Sequence, residues 1–513
     1  MISNCVDLFW IMSNHYKNHR ESLSAIAYTA MLDHGLKPDF SSAVLEQLKL
    51  IQNIAVDHVI DQATKFEAQN DDIQDQTDLL WCSIDNDDSK DLDQLTVCRP
   101  LKDGSLVVMV AIADVDSLVP RNTPIDQHAK DNTTSVYTSA RVFPMLPDEL
   151  STDLTSLNFN VPRLALVCEM HFDHNGHELG FSIYRSKVIN QCKLAYDAVS
   201  DWLENKGPLP EAARRIHNLD QQLKDQDKWA QKLRALRHAN GALEFHSIQP
   251  RAVFKNNLID ELQEQPQNRA RQLIEEFMVA ANGCIARFLS NKGYSCIRRV
   301  VRSPEKWQRI VKVAAQYGEH LPSSADSSAL ERFLAKRHQA QPLTFPDLSL
   351  VIVKLMGSGE YVLERPKDKS NIGHFGLAVL HYAHSTAPNR RYPDLITQRI
   401  LKAALKGINS PYSDAELEVL ALHCTTQEDA SKKVERQLRK SEAALLLQSH
   451  IGKNFKGVIS GINEVGHWVR IFTPPAEGKL IGLHDHLELG HPVSVKLVHT
   501  NVERGYIDFE FRH

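Results

Sequence analysis

Between Cys82 and Leu95 the chain places five aspartates in nine residues, Asp85, Asp87, Asp88, Asp91 and Asp93. Carboxylates this dense repel one another, and the arrangement is tolerated mainly when a hard cation sits among them. Strand-like segments flank the cluster, Leu79 to Ile84 before it and Leu95 to Cys98 after it. A third, the apolar run Leu106 to Ala113 within a strand pattern reaching Val115, follows the turn Lys102-Asp103-Gly104-Ser105. The acids are therefore aimed into a structured corner and not into a solvent loop. An EF-hand requires Gly at the sixth loop position and Glu at the twelfth; counted from Asp85 these are Lys90 and Thr96. Oxygen ligands favour magnesium or manganese over zinc. Clustered Asp holding a divalent metal beside a phosphate is the chemistry of phosphodiester hydrolysis.

A length of 513 residues has room for about three domains. At 42% hydrophobic and 24% charged, the composition is that of a soluble globular protein. No apolar run approaches the ~18 residues of a membrane span, and the first residues carry no basic segment or cleavage site, so no membrane association is expected. Met12 precedes a polar, helix-compatible run and is a candidate translation start. Eight scattered cysteines without a C-x-x-C pair fit reduced thiols in the cytoplasm. The net charge of -5 is compatible with nucleic acid only if basic groups line one channel. Nothing calls for an obligate protein partner.

The expected architecture is α+β and multidomain. Residues 1–74 read as a small helical region: Leu23, Ile26, Ala27, Ala30 and Met31 share a face, a Gly35/Pro38 turn follows, and a second helix starts near Ser41. Two helices about a tight turn admit a helix-turn-helix-like reading; a packing appendage is the plainer one. The acidic stretch 67–77 marks a boundary. Residues 75–450 read as a mixed α/β domain, with helical patterns over 193–240, 269–291 and the charged stretch 414–450. From 451 to 513, five short strands separated by glycines fit an OB-fold barrel.

A second motif lies 300 residues beyond the aspartates, in Gly373-His374-Phe375-Gly376-Leu377 and then His381 to Leu395, containing Asn389-Arg390-Arg391-Tyr392-Pro393-Asp394. Adjacent arginines opening a helix suit a fixed guanidinium aimed at phosphate, or a buried arginine paired with Asp394.

With these residues in hand, the chain resembles the ribonuclease II family, the RNB exoribonucleases, from about residue 75 onward. The supporting blocks are SIDNDDSKDLDQL at 83–95, VAIADV at 110–115, FPMLPDELSTDLTSLN at 143–158, KLAYDAVSDWLEN at 193–205, LIEEFMVAAN at 273–282 and APNRRYPDLITQRIL at 387–401. The resemblance implies an RNB-type catalytic domain with a C-terminal OB-fold. It further implies a processive, magnesium-dependent 3′-to-5′ hydrolase that degrades single-stranded RNA to nucleoside 5′-monophosphates and a short end product. Asp85, Asp91 and Asp93 fall on the family's acidic positions, with Gln94 beside them as a further metal ligand through its carbonyl oxygen. Arg390 falls on the arginine that holds the scissile phosphate, with Arg391 adjoining. Tyr196 and Glu275 fall on ribose-contacting positions, and Tyr137 and Phe245 on base-stacking aromatics. Stacking on such rings holds unpaired bases without regard to sequence.

On the helix 269–289, Arg271, Glu275, Met278 and Asn282 share a face. Arg298, Arg299, Arg302 and the 432–440 run are candidates for channel charge, and Phe455, His467, Trp468 and Phe472 for RNA contact on the barrel. The chain departs from the family pattern at Gln94, where an aspartate is usual, and at Ala387-Pro388-Asn389. The 74 residues ahead of the catalytic domain cannot hold the two cold-shock-type barrels of large members. Gln94 and Ala387 keep open the alternative of a catalytically impaired RNA-binding protein on the same fold.

Overall fold

The computed structural model describes residues 18–53, 73–245, 250–264, 267–342, 344–366, 373–463, 466–482, 487 and 490–512. Met12 and most of the boundary stretch lie outside them. The chain enters its central sheet with β1 (Gln74–Asp75), β2 (Cys82–Asp85), β3 (Gln94–Pro100) and β4 (Leu106–Ala113). A short hairpin follows, β5 (Val136–Tyr137) with β6 (Val142–Phe143), before β7 (Pro162–Phe172), β8 (Glu178–Ile189) and β9 (Cys192–Ala195). The seven-stranded sheet has the order β1-β8-β7-β4-β3-β2-β9, antiparallel except where β1 meets β8 and β2 meets β9.

Every residue of β4 is buried, which its unbroken apolar sequence demands of a strand covered on both faces. The helix Arg269–Asn291 lies on this sheet and buries Leu273, Phe277, Ala281 and Cys284. Register places Asp85, the last residue of β2, opposite Ala195, the last of β9. Tyr196, which opens the next helix (Tyr196–Leu203), is thereby delivered beside the acidic loop.

The helix Tyr392–Lys406 starts with Pro393 in its first turn, where proline has no amide to lose, and ends at Gly407, whose φ of 66° suits glycine. Its buried face is polar as well as apolar. Lys402 (3.0 Å) and Arg185 (2.8 Å) both pair with the fully buried Asp114, Arg399 pairs with Asp116 and Asp126 (2.8 Å each), and Gln398 donates to the Ala113 carbonyl (2.7 Å). Burial pushes the Asp114 carboxyl up, but Lys402 and Arg185 hold it below the usual range. These contacts lock the helix to the end of β4.

A hairpin of β10 (Pro250–Lys255) and β11 (Leu258–Glu264), and a pair of β12 (Cys296–Val300) with β13 (Glu360–Glu364), lie outside the sheet. Between β12 and β13 the helices Trp307–Gln316, Ser327–Ala340 and Phe345–Met356 gather around Trp307, Ile310, Phe333 and Phe345 as a separate small core, a unit that periodicity did not reveal. The helix Asp414–Leu447, 34 residues and thus about 50 Å long, starts at a Ser413/Glu416 capping box and leads to the barrel. There β14 (Asn454–Asn463), β15 (Gly466–Ile471), β16 (Ala476–Ile481), β17 (Pro492–Asn501) and β18 (Tyr506–Arg512) close in the order β14-β15-β16-β18-β17, an OB-like barrel. Val434 and Leu438 of the long helix share one apolar cluster with Val495 and Phe509 of the barrel and Leu23, Ala27 and Met31 of the first described helix, His19–Asp33. The second, Ser42–Asn53, packs elsewhere, against Pro124–Asn132.

Phe277 is the largest side chain that the helix Arg269–Asn291 buries completely on the sheet. Phe277→Ala is expected to lower the unfolding free energy by about 3–5 kcal/mol, read from urea titration followed by circular dichroism.

Candidate active site

The acidic loop between β2 and β3 is held by the segment that reads TSLN in the sequence. The Ser156 hydroxyl donates to the Lys90 carbonyl (2.7 Å) and accepts from the Leu92 amide (3.0 Å), and the Leu157 amide donates to the Leu92 carbonyl (2.9 Å). Thr155 donates to the Asn389 side-chain oxygen, so one strap holds both the loop and the arginine-bearing turn. The Ser135 amide and the Thr134 hydroxyl both donate to the Arg390 carbonyl.

Asp93 joins the two halves. It is 1% exposed; one carboxylate oxygen accepts from the Asn389 amide (2.9 Å) and the other from Arg390 Nε (3.1 Å). Burial pushes its carboxyl up to about 7, against the pull of Arg390 and the Asn389 amide. Desolvation pulls the Arg390 guanidinium down, yet Asp93, Tyr137, Asp91 and Asp85 together hold it well above its ordinary value. Arg390 is thus a permanent cation, and its side chain stays 42% exposed toward the cleft.

That cleft is a cavity of about 660 Å³ lined by Asp85, Asp88, Asp91, Gln94, Tyr137, Tyr196, Arg271 and Arg390, and also by Ser139, Val142, Pro250, Arg251, Leu438, Arg439 and Glu442. The Tyr137 hydroxyl donates to Asp91 (2.5 Å), and burial with this bond raises the phenol well above its usual range. Asp85 accepts from the Asn86 amide (2.7 Å), and burial raises its carboxyl. Arg271 donates to the Asn86 side chain (2.8 Å) and lies over the Tyr196 ring at 4.5 Å, a cation–π contact that fixes the ring.

Of the residues expected here, Asp85, Asp91, Gln94, Tyr137, Tyr196 and Arg390 share the cavity wall. Asp93 lies behind the wall with both oxygens engaged. Arg391 turns the other way and pairs with the fully buried Asp394 (2.7 Å), so the two arginines divide the two roles that their sequence left open. Glu275 pairs with Arg237 (3.2 Å), which also holds the buried Glu276, and Phe245 packs against the Trp307 cluster; neither lines the cavity.

The expected channel charge needs correction. Arg298 pairs with Glu364, Arg299 with Glu428 and Arg302 with Glu360, and Lys432 also goes to Glu428, so these cations are neutralised locally. Arg251, Arg271 and Arg439 line the cavity instead. Arg251 sits on a hairpin that gave no distinctive pattern, whereas Arg439 belongs to the basic run. On the barrel, Phe472 is 48% exposed, while Phe455 packs edge-on to the buried Phe509.

As a metal site, the wall offers oxygen donors only: the carboxylates of Asp85 and Asp91 and the carboxamide of Gln94. Among the described residues no three Asp, Glu, His or Cys side chains close on one point. This set fits a hard cation that takes one or two protein carboxylates, keeps water and completes its shell with phosphate oxygens.

Residues 73–407 match the RNB domain, and residues 453–512 match the RNase II-type exonuclease C-terminal S1 domain. The chain is 28% identical over 471 residues to ribonuclease R 1 of Lactococcus lactis, covering 84% of this chain and 55% of that protein. It is 31% identical over 423 residues to ribonuclease R of Escherichia coli, covering 77% and 49%. The chain therefore spans about half the length of these curated relatives. Among solved structures, Mycoplasma genitalium RNase R in complex with ribose-methylated single-stranded RNA superposes with a TM-score of 0.81 at 25% identity, over 95% of this chain and 77% of that one.

Arg391→Ala leaves Asp394 buried without its cation. A loss of about 3–5 kcal/mol in unfolding free energy is expected, measured by the shift of the urea midpoint.

Proposed function

From the premise that the chain belongs to the RNB family, we propose that it is a metal-dependent exoribonuclease that degrades single-stranded RNA processively from its 3′ end in the cytoplasm, releasing nucleoside 5′-monophosphates and a short end product. The observation that carries this reading is Arg390, clamped by the buried Asp93 and exposed in a cavity that Asp85 and Asp91 also line. Relatives named as ribonuclease R, and the structure of one in complex with ribose-methylated single-stranded RNA, support the substrate class.

In this reading the Arg390 guanidinium binds the scissile phosphate through charge-assisted hydrogen bonds. Asp93 is its positioning residue: by fixing Nε it leaves the rest of the guanidinium for the phosphate. Tyr196, its ring fixed by Arg271, contacts the ribose of a terminal nucleotide, and Tyr137, the base-stacking aromatic, orients Asp91 through its hydroxyl. Asp85, Asp91 and Gln94 would hold magnesium, with manganese as the alternative. Bound there, the cation supplies Lewis-acid activation of water and neutralises charge on phosphate oxygens. Replacement of an aspartate by Gln94 keeps an oxygen donor and removes a charge.

The test incubates the protein with a 5′-labelled 30-mer of single-stranded RNA, with magnesium, with manganese and with chelator, beside Asp93→Asn. Metal-dependent collapse to a short product is expected, slowed at least ~100-fold in the variant, an effect typical of losing a preorganised charge contact. Intact RNA in every lane, shifted on a native gel, would instead establish an RNA-binding protein that does not cleave.

A further inference from the structure

Beside the catalytic wall, the cavity is lined by a second group of residues gathered around Glu442. There Val142, Leu438 and Pro250 form apolar walls, Thr138 and Ser139 supply hydroxyls, and Arg251 and Arg439 stand beside them. Glu442 is 1% exposed and lines the cavity beside them. One of its carboxylate oxygens accepts from the Ser139 hydroxyl. The other, Oε2, is buried and has no hydrogen-bond partner. Burial pushes the Glu442 carboxyl up, against the pull of Ser139, the Ala252 amide, Arg439 and Arg251.

A buried acceptor left unpaired is costly, and native proteins rarely keep one without a use for it. Apolar walls suit the faces of a base, nearby arginines suit its phosphates, and an acceptor at the floor suits a donor on its edge. We propose that the part of the cavity around Glu442 is a nucleobase subsite, upstream of the scissile phosphate, in which Glu442 Oε2 accepts a hydrogen bond from an exocyclic amine. The inference rests on the exoribonuclease reading and adds a base preference to it. Cytosine presents a 4-amino donor where uracil, the same size, presents a carbonyl oxygen that the carboxylate repels. Glu442 is then a specificity-determining residue, and one upstream position prefers cytosine over uracil.

The experiment measures equilibrium binding by fluorescence anisotropy in chelator, so that cleavage plays no part. A labelled oligouridylate is compared with a set in which one cytidine is walked from the 3′ end. Tightening by about tenfold at a single position is expected for wild type, a typical value for one charge-assisted contact, and Glu442→Gln should reduce it to less than threefold because a carboxamide can donate to uracil as well as accept from cytosine. No position-dependent tightening in wild type, or the same tightening in Glu442→Gln, overturns the subsite. Because the cytidine walk on wild type needs no variant, a Glu442→Gln chain that fails to fold still leaves the single-position result to decide. Failure of wild type to bind any of these RNAs would overturn the exoribonuclease reading itself, an outcome distinct from base-independent binding.

Discussion

One buried carboxylate holds the site together. Asp93 is separated by 296 residues from Asn389, whose amide it accepts, and by 297 from Arg390, whose guanidinium it orients. An unpaired carboxylate in that position would be prohibitively desolvated, so the acidic loop reaches its buried position only when the turn carrying Arg390 is present to meet it. The same contact removes one nitrogen of Arg390 from competition and leaves the remainder facing the cleft. Fold and function converge there because the group that needs a partner to be buried and the group that needs a fixed direction are each other's partner.

Around this contact the structure arranges charge in two tiers. The lower tier, Asp114 with Arg185 and Lys402, and Asp116 and Asp126 with Arg399, is largely buried and mutually paired, and it fixes the helix Tyr392–Lys406 against β4. The upper tier, Asp85, Asp91, Gln94 and Arg390, opens to the cavity and is incompletely paired. A protein with net charge -5 can present such a site to a polyanion because Arg251, Arg271, Arg390 and Arg439 gather on one cavity and set the local field there, while many other arginines are matched to carboxylates. Arg298, Arg299 and Arg302 illustrate the matched ones.

Much of this was legible in the sequence. The unbroken apolar run at β4, the glycine-punctuated strands of the barrel and the charged helix from Asp414 all carry strong periodicity, and each appears within a few residues of its expected place. The acidic loop and the double arginine were found because chemistry concentrates them locally. Partner choice was less legible. Which arginine faces the cleft is set in the turn ahead of the helix, where Asp93 holds Arg390 and Asp394 holds Arg391, and the pairing of Arg298, Arg299 and Arg302 depends on glutamates 58 to 129 residues away. The three-helix unit between β12 and β13 was not read from the sequence, although the helix Trp307–Gln316 carries a regular apolar face in Trp307, Ile310 and Ala314. Glu442 escaped because, within a charged helix, nothing in the sequence separates the one buried carboxylate from its solvated neighbours.

The claim that Asp93 and Arg390 act as one unit is tested most directly by a double-mutant cycle on single-turnover RNA cleavage, with Asp93→Asn, Arg390→Ala and the combined variant. Residues that work only together lose little more when both are removed than when one is. The predicted rate of the double variant lies within about threefold of the slower single variant. Losses that multiply, so that the double variant is slower by the product of the two single effects, would contradict the account and separate the two residues into independent roles.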